Sequence, residues 1–322
     1  MTPIELRVLN DISSVRNPNV RLGDMLAAFS GDDLTGGTPV NAVNATEILA
    51  LTGIAIDGET VTINNPAVAG TDVYEFLADV VQSKTAPSNI AVDITAYVGF
   101  AVGTLTMDTQ PIAGEKVTIG TKVYTFVPLG TDNADGEVSV GASLVAAQAA
   151  LAMAIGGDGN SIPHPLVSVI GFVGNDLVIT AKIGGTAGNA IATTETFTAV
   201  TNIFAAATLT TGTNCSTANA KIALMAAITA SDTQGVGATS AAGTTILLTA
   251  DVAGLVGNAI TLAESLANGN FVAAATHLSG GINGTVAPAL KMVADATYLY
   301  FTQVANTTSG KNWRRMALGA AY

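Results

Sequence analysis

Leu177-Val178-Ile179-Thr180-Ala181 followed by Ala187-Gly188-Asn189-Ala190-Ile191, and Ile246-Leu247-Leu248-Thr249-Ala250 followed by Val256-Gly257-Asn258-Ala259-Ile260, are two copies of one pattern. The copies stand 69 residues apart (246 − 177). Ala205-Ala206-Ala207-Thr208 trails the first and Ala273-Ala274-Ala275-Thr276 trails the second. A second repeat lies upstream. Gly58-Glu59-Thr60-Val61-Thr62-Ile63 returns as Gly114-Glu115-Lys116-Val117-Thr118-Ile119, and Val73-Tyr74-Glu75-Phe76 returns as Val123-Tyr124-Thr125-Phe126. Short alternating runs of Val, Ile, Tyr and Thr between Gly- and Asn-rich turns read as strands. A chain built by duplicating a small module supplies surfaces and spacing rather than one catalytic pocket. The repeats therefore point to a structural or interaction protein.

Composition agrees with a packed, strand-rich chain. Of 322 residues 49% are apolar and 11% charged, against an ordinary charged share of roughly 25%. The mean hydropathy of +0.48 would suit a membrane protein, but a spanning helix needs about 20 consecutive apolar residues. The longest helical apolar run, Leu144 to Ile155, is interrupted by Gln148 and stops at Gly156-Gly157. Met1-Thr2-Pro3-Ile4-Glu5 does not read as a secretory signal. No membrane partner is expected, and the apolar excess points to burial between subunits.

The net charge is −12. Arg7, Arg16 and Arg21 lie near one end and Lys311, Arg314 and Arg315 near the other, whereas Val123 to Leu290 holds only Lys182 and Lys221 as bases. An acidic body repels phosphate, so no nucleic-acid partner is expected. Cys215 is the sole cysteine, which excludes an intrachain disulfide and is compatible with a reducing compartment.

The expected fold is α+β, predominantly β: several small tandem modules of antiparallel strands with one short helix each. Residues 1–45 read as an N-terminal arm, in which Leu22, Met25, Leu26 and Phe29 form an amphipathic helical stripe. A first β-rich module covers 46–105 and a second, α+β, covers 106–213. A third, 214–283, repeats the second half of module two. Residues 284–322 read as a C-terminal β-hairpin tail. Ser143 is the expected cap of a helix through Ile155. Ser216 or Thr217 caps a second helix, with Ala218, Ile222, Met225 and Ile228 at helical spacing.

Little in the chain asks for chemistry. His164, between Pro163 and Pro165, reads as part of a rigid exposed turn, and His277 falls in an apparent strand. Neither has metal-ligand spacing with a second ligand. Cys215 has no base beside it in sequence. The loop Ile183-Gly184-Gly185-Thr186-Ala187-Gly188-Asn189 lacks the Lys-Ser/Thr ending of a phosphate loop and reads as a tight turn. Asp132-Asn133-Ala134-Asp135-Gly136-Glu137 fails the EF-hand register. Neither catalytic residues nor a metal or cofactor is expected. The expected binding residues are interfacial: Leu22, Met25, Leu26 and Phe29 in the arm, and Tyr298, Tyr300, Trp313, Arg314 and Arg315 in the tail, because Trp, Tyr and Arg dominate interface hot spots.

The block from Gly114 to Phe126 resembles a module of tailed-bacteriophage virion proteins, as do Gly136-Glu137-Val138-Ser139-Val140-Gly141-Ala142 and the run from Gly184 to Thr194. Ala296 to Phe301, with Asn312 to Leu318, is similar to the C-terminal motif of head-decoration and head-fibre proteins. The resemblance covers most of residues 50–322. It implies a virion structural protein, made in the host cytoplasm, without catalytic residues. It would be a capsid decoration or cement protein that binds the major capsid protein or other virion proteins and is a homo-oligomer, a trimer in the first instance. A tail, baseplate or fibre component is the alternative, and a polysaccharide-degrading virion enzyme is a third.

Overall fold

The structure, a computed structural model, describes residues 39–79, 84–157, 160–231, 233–272, 275–287, 292–294, 298–302 and 305–317. Its elements fall into four runs. The first holds β1 (Thr46–Leu51), β2 (Thr60–Asn64), β3 (Asp72–Leu77) and β4 (Ile90–Asp93). The second holds β5 (Val102–Thr106), β6 (Lys116–Ile119), β7 (Lys122–Val127), β8 (Glu137–Ser139), α1 (Leu144–Gly156), β9 (Val167–Val173), β10 (Asp176–Ala181), β11 (Thr193–Glu195) and β12 (Ile203–Phe204). The third holds α2 (Thr217–Ser231), β13 (Val236–Ser240), β14 (Thr245–Ala250), β15 (Thr261–Glu264) and β16 (Gly269–Phe271). The last holds β17 (Met292–Ala294), β18 (Tyr298–Thr302) and β19 (Trp313–Ala317). The chain is thus mostly strand with two described helices, in line with the expected class.

The upstream repeats fold as hairpins for the reason their sequences suggest. Val61 faces Tyr74 across β2 and β3, and Val117 faces Tyr124 across β6 and β7. Alternation then turns Val61, Ile63, Tyr74 and Phe76 in one hairpin, and Val117, Ile119, Tyr124 and Phe126 in the other, into buried positions. Gly120 closes the second hairpin at φ +57, a conformation glycine adopts without steric cost. A parallel strand extends each hairpin, β4 beside β3 and β8 beside β7.

The pairing groups the strands differently from tandem modules. One sheet runs β12-β5-β10-β9 and another β11-β6-β7-β8, all from 102–204. Their counterparts run β16-β1-β14-β13 and β15-β2-β3-β4, and these draw on both 46–93 and 236–271. Buried side chains divide the same way. One cluster collects Leu49, Val61, Phe76 and Val92 with Leu224, Ile228, Ile246 and Leu278, while the other lies wholly between Ala101 and Leu209. The order along the chain is therefore front half, front half, back half, back half. One unit, 99–213, sits inside a connection of a second unit of the same design, formed by 43–98 and 214–282.

Both units close their ends identically. Gly99 and Thr213 exchange backbone hydrogen bonds of 2.8 and 3.1 Å, and Val43 and Ile282 exchange bonds of 2.9 and 3.2 Å. The boundary expected at 105/106 falls between Leu105 and Met107, inside the core of the inner unit. Of the expected arm, residues 1–38, including Leu22, Met25, Leu26 and Phe29, lie outside the described residues. Residues 41–43 belong to the fold: Ala42 donates to the Gly310 carbonyl at 2.9 Å, and Val43 joins the bridge to Ile282.

The helices start where expected. Ser143 Oγ accepts from the Ala146 amide at 3.3 Å, and Ser216 Oγ accepts from the Asn219 amide at 3.2 Å. The buried face of α2 is rotated from the expected stripe: Ala220, Lys221, Leu224 and Ile228 are buried and Ile222 is exposed. Apolar residues surround this helix, so the sheet it packs on, not periodicity, selects the face. The tail is a three-stranded sheet rather than a hairpin, with β18 between β17 and β19.

Candidate interaction surface

In the tail sheet, Tyr300 and Trp313 are buried with Ala287 and Val293 in a small cluster of their own. Trp313 is tied down from three directions. Its Nε1 donates to the Thr285 carbonyl at 2.7 Å, its amide donates to Asn41 Oδ1 at 3.0 Å, and its carbonyl accepts from Asn41 Nδ2 at 3.1 Å. Trp313 fastens the tail to Asn41, and both buried rings offer little surface to a partner. Tyr298 is half-buried, stacked edge-on to Tyr300 at 6.1 Å, with the Arg315 guanidinium 4.7 Å above its ring. Arg314 and Arg315 are exposed, and adjacent positions on a strand place them on opposite faces of the sheet. Lys311 is bonded to Asn44 Oδ1. The tail thus exposes bases on an otherwise acidic chain.

The duplicated Gly/Asn loops are latches. Asn189 Oδ1 accepts from the Gly212 amide at 2.8 Å while its Nδ2 donates to the Gly212 carbonyl at 3.1 Å. Asn258 does the same to Gly281 at 2.8 and 3.1 Å. Next to each latch an Asn oxygen accepts from the start of the loop, Asn214 from the Thr186 amide and Asn283 from the Leu255 amide, both at 2.8 Å. Gly212 and Gly281 leave no room for a side chain, since an added Cβ would lie 2.3 and 2.4 Å from the carbonyls of Gly185 and Gly254. The repeated motif is therefore the device that holds each unit's exit segment against its own loop.

His164 is not on an exposed turn. It is 1% exposed, with Nε2 3.0 Å from the Ile119 carbonyl and Nδ1 accepting from the amides of Leu166 and Val167 at 3.1 and 3.2 Å. These bonds require neutral imidazole, protonated on Nε2. Burial first, then the charges of Lys122 and Lys182, hold its pKa below the ordinary value, against an opposing effect of the Ile119 carbonyl. Lys182 Nζ donates to the His164 carbonyl at 2.6 Å, and Lys122 pairs with Asp135 at 2.8 Å, which lowers the Asp135 carboxyl. His277 is exposed, on a bridge to Thr261. Cys215 is buried, and burial pushes its thiol pKa up, the opposite of an activated nucleophile.

A surface that sequence reading passed over lies on the sheet β12-β5-β10-β9. Leu105, Leu177, Ile179 and Phe204 point to the inner core. Alternation puts Thr104, Thr106, Val173, Asp176, Val178, Thr180 and Ile203 on the other face. The register β9–β10 shifts between Leu177 and Ile179, leaving Ile170 and Gly171 opposite Val178, with Gly171 at φ +131. Such a bulge re-aims side chains, and Ile170 is fully exposed, at 105%. Val173 is 80% exposed, and Val178 and Ile203 are 49% each. The legible signal was the string Val167-Ser168-Val169-Ile170-Gly171-Phe172-Val173, in which apolar residues fall on both alternations.

Among the described residues no group of three His, Cys, Asp or Glu is placed to hold a metal ion, and no helix is long and apolar enough to cross a membrane. Comparison with known proteins gives no match to a family model, to a curated protein or to a solved structure.

Proposed function

We propose that this chain is a virion structural protein of a tailed bacteriophage, most specifically a capsid decoration or cement protein that binds the assembled head as a homo-oligomer. The observation that carries the reading is the twice-built strand unit, whose surfaces expose aliphatic side chains such as Ile170 and Val173 in the inner copy and Leu255 and Val256 in the outer. Duplicated units multiply contact area without adding a reaction centre. Burying apolar area contributes about 25 cal/mol per Å² before the costs of association. The resemblance of the segments around Val117–Phe126 and Tyr298–Phe301 to virion modules supplies the context. The exposed bases Lys311, Arg314 and Arg315 suit an acidic neighbour, and the major capsid protein is the proposed partner.

Cryo-electron microscopy of particles from the source, with the purified chain as a standard, tests the reading. Density at regular positions on the head is the expected result. Density on the tail or baseplate replaces decoration with tail assembly or adsorption, and its absence from particles removes the virion reading.

A further inference from the structure

We infer that the outer face of the sheet β12-β5-β10-β9 in the inner unit packs against the same face of a second copy of this chain, about a two-fold axis that reverses the strands. The inference is independent of where in a particle, or in what setting, the protein works.

The molecule contains its own control. The outer unit has the same sheet in the same order, β16-β1-β14-β13. Pairing makes Thr239, opposite Leu247, the counterpart of Ile170, makes Ala241, whose amide donates to the Thr245 carbonyl, the counterpart of Val173, and makes Asn270, opposite Ala50, the counterpart of Ile203, while β13 pairs with β14 without the bulge of β9. Leu247, counterpart of Val178, is half-buried where Val178 is exposed. The fold therefore does not require aliphatic residues here, since its other copy does without three of the four. Ile170, Val173 and Val178 lie on the adjacent strands β9 and β10, with Ile203 on the far edge beyond Thr106 and Asp176; leaving such side chains in water is unfavourable, and an exposed apolar patch marks an interaction site.

Charge selects the occupant. Along its outer side β10 reads Asp176, Val178, Thr180, and the alternation continues to Lys182. Acid and base are separated by roughly 20 Å, the length of six strand residues. A two-fold rotation that reverses the strand lays Asp176 of each copy over Lys182 of the other. A rotation that keeps strand direction would stack Asp176 on Asp176. Within the chain Asp176 accepts from Thr106 Oγ1 at 2.6 Å, and Lys182 donates to the His164 carbonyl at 2.6 Å. The counterparts in the outer unit are Thr245 and Asp251, which offer a second copy no such match. Two chains of net charge −12 repel over most of their surfaces. This face carries its own cancelling pair.

Size sets the strength. The four strands hold 2, 5, 6 and 7 residues, which at about 4.8 Å between strands and about 3.3 Å per residue make a face of roughly 320 Å². Two such faces bury roughly 630 Å², well below the roughly 1,200–2,000 Å² of stable complexes. The contact is weak in solution and gains force where copies are already arrayed. It joins chains in pairs, whatever larger assembly holds them.

Sedimentation equilibrium of the full chain from about 10 μM to about 1 mM tests this. A monomer–dimer equilibrium is expected. Ile170→Lys changes a fully exposed side chain, so the fold tolerates it, and it should weaken association at least about tenfold. Leu129→Lys, an exposed aliphatic elsewhere on the inner unit, should not. Asp176→Lys and Lys182→Asp should each weaken pairing and the double swap should restore it. A chain that stays monomeric throughout, an association unmoved by Ile170→Lys, or one weakened equally by Leu129→Lys overturns the inference.

Discussion

His164 shows how much one side chain can organise. Its imidazole ties the first residues of β9 to the end of β6 through three hydrogen bonds. Neutral His is favoured in the fold, so its pKa is depressed. The stability it contributes is complete above the unfolded value near 6.5 and is lost as pH falls through the folded value. Thermal unfolding of the wild type should therefore lose more stability between pH 7.5 and 5 than that of His164→Gln. Equal losses would show that His164 does not carry the acid sensitivity. The latch asparagines give a second prediction at this scale. Asn189→Ala and Asn258→Ala each remove a donor and an acceptor from one Gly residue, at a cost of about 1–3 kcal/mol in denaturant unfolding. None of this was visible in sequence. Two prolines beside His164 suggested a solvent-facing turn, and only the fold brings the Ile119 carbonyl to its Nε2.

The helices were legible as elements but not as faces. Ala, Leu and Met at most positions of 144–155 and 217–231 favour helix, and Ser143 and Ser216 mark the starts. Ser143→Ala should cost about 1 kcal/mol, measured by chemical denaturation. The face of α2 could not be chosen, because Ile222 and Met225 are as apolar as Leu224 and Ile228. Burial settles it. Leu224→Ala should destabilise by about 2–5 kcal/mol and Ile222→Ala by less than about 0.5 kcal/mol. In the tail the reverse held. Trp313 and Arg314-Arg315 suggested an interface from composition, but the sheet buries Trp313 against Asn41 and Thr285 and leaves the arginines outside.

For the whole molecule the consequence is two nested folding units. Gly99 and Thr213 are antiparallel partners, which stand about 5 Å apart, so Val98 and Asn214 are nearly adjacent. A chain with residues 99–213 removed and Val98 joined to Asn214 should keep the outer unit folded, and residues 99–213 alone should fold. Circular dichroism melting of both pieces checks this, and a cooperative melt missing from either would show that the units depend on each other. The units also touch: the Gly184 amide donates to the Ala78 carbonyl at 2.9 Å, a Cβ on Gly184 would meet Val98 at 2.2 Å, and Asn214 Oδ1 accepts from the Thr186 amide at 2.8 Å.

Residues close together in the chain set the strand-rich class, the hairpins, the helix starts and the existence of two copies. The sequence even carried the order of the repeats, fronts at 58–76 and 114–126 before backs at 177–208 and 246–276, which no tandem array produces. Which halves belong together is settled in the folded chain alone. Strand pairing across 200 residues, as between Ala50 and Thr245 or Thr60 and Ser265, depends on long-range closure that leaves no local trace. The same holds for the neutral His164 and for the aliphatic outer face. Each is a property of what the fold brings near a residue, not of the residue and its neighbours in sequence.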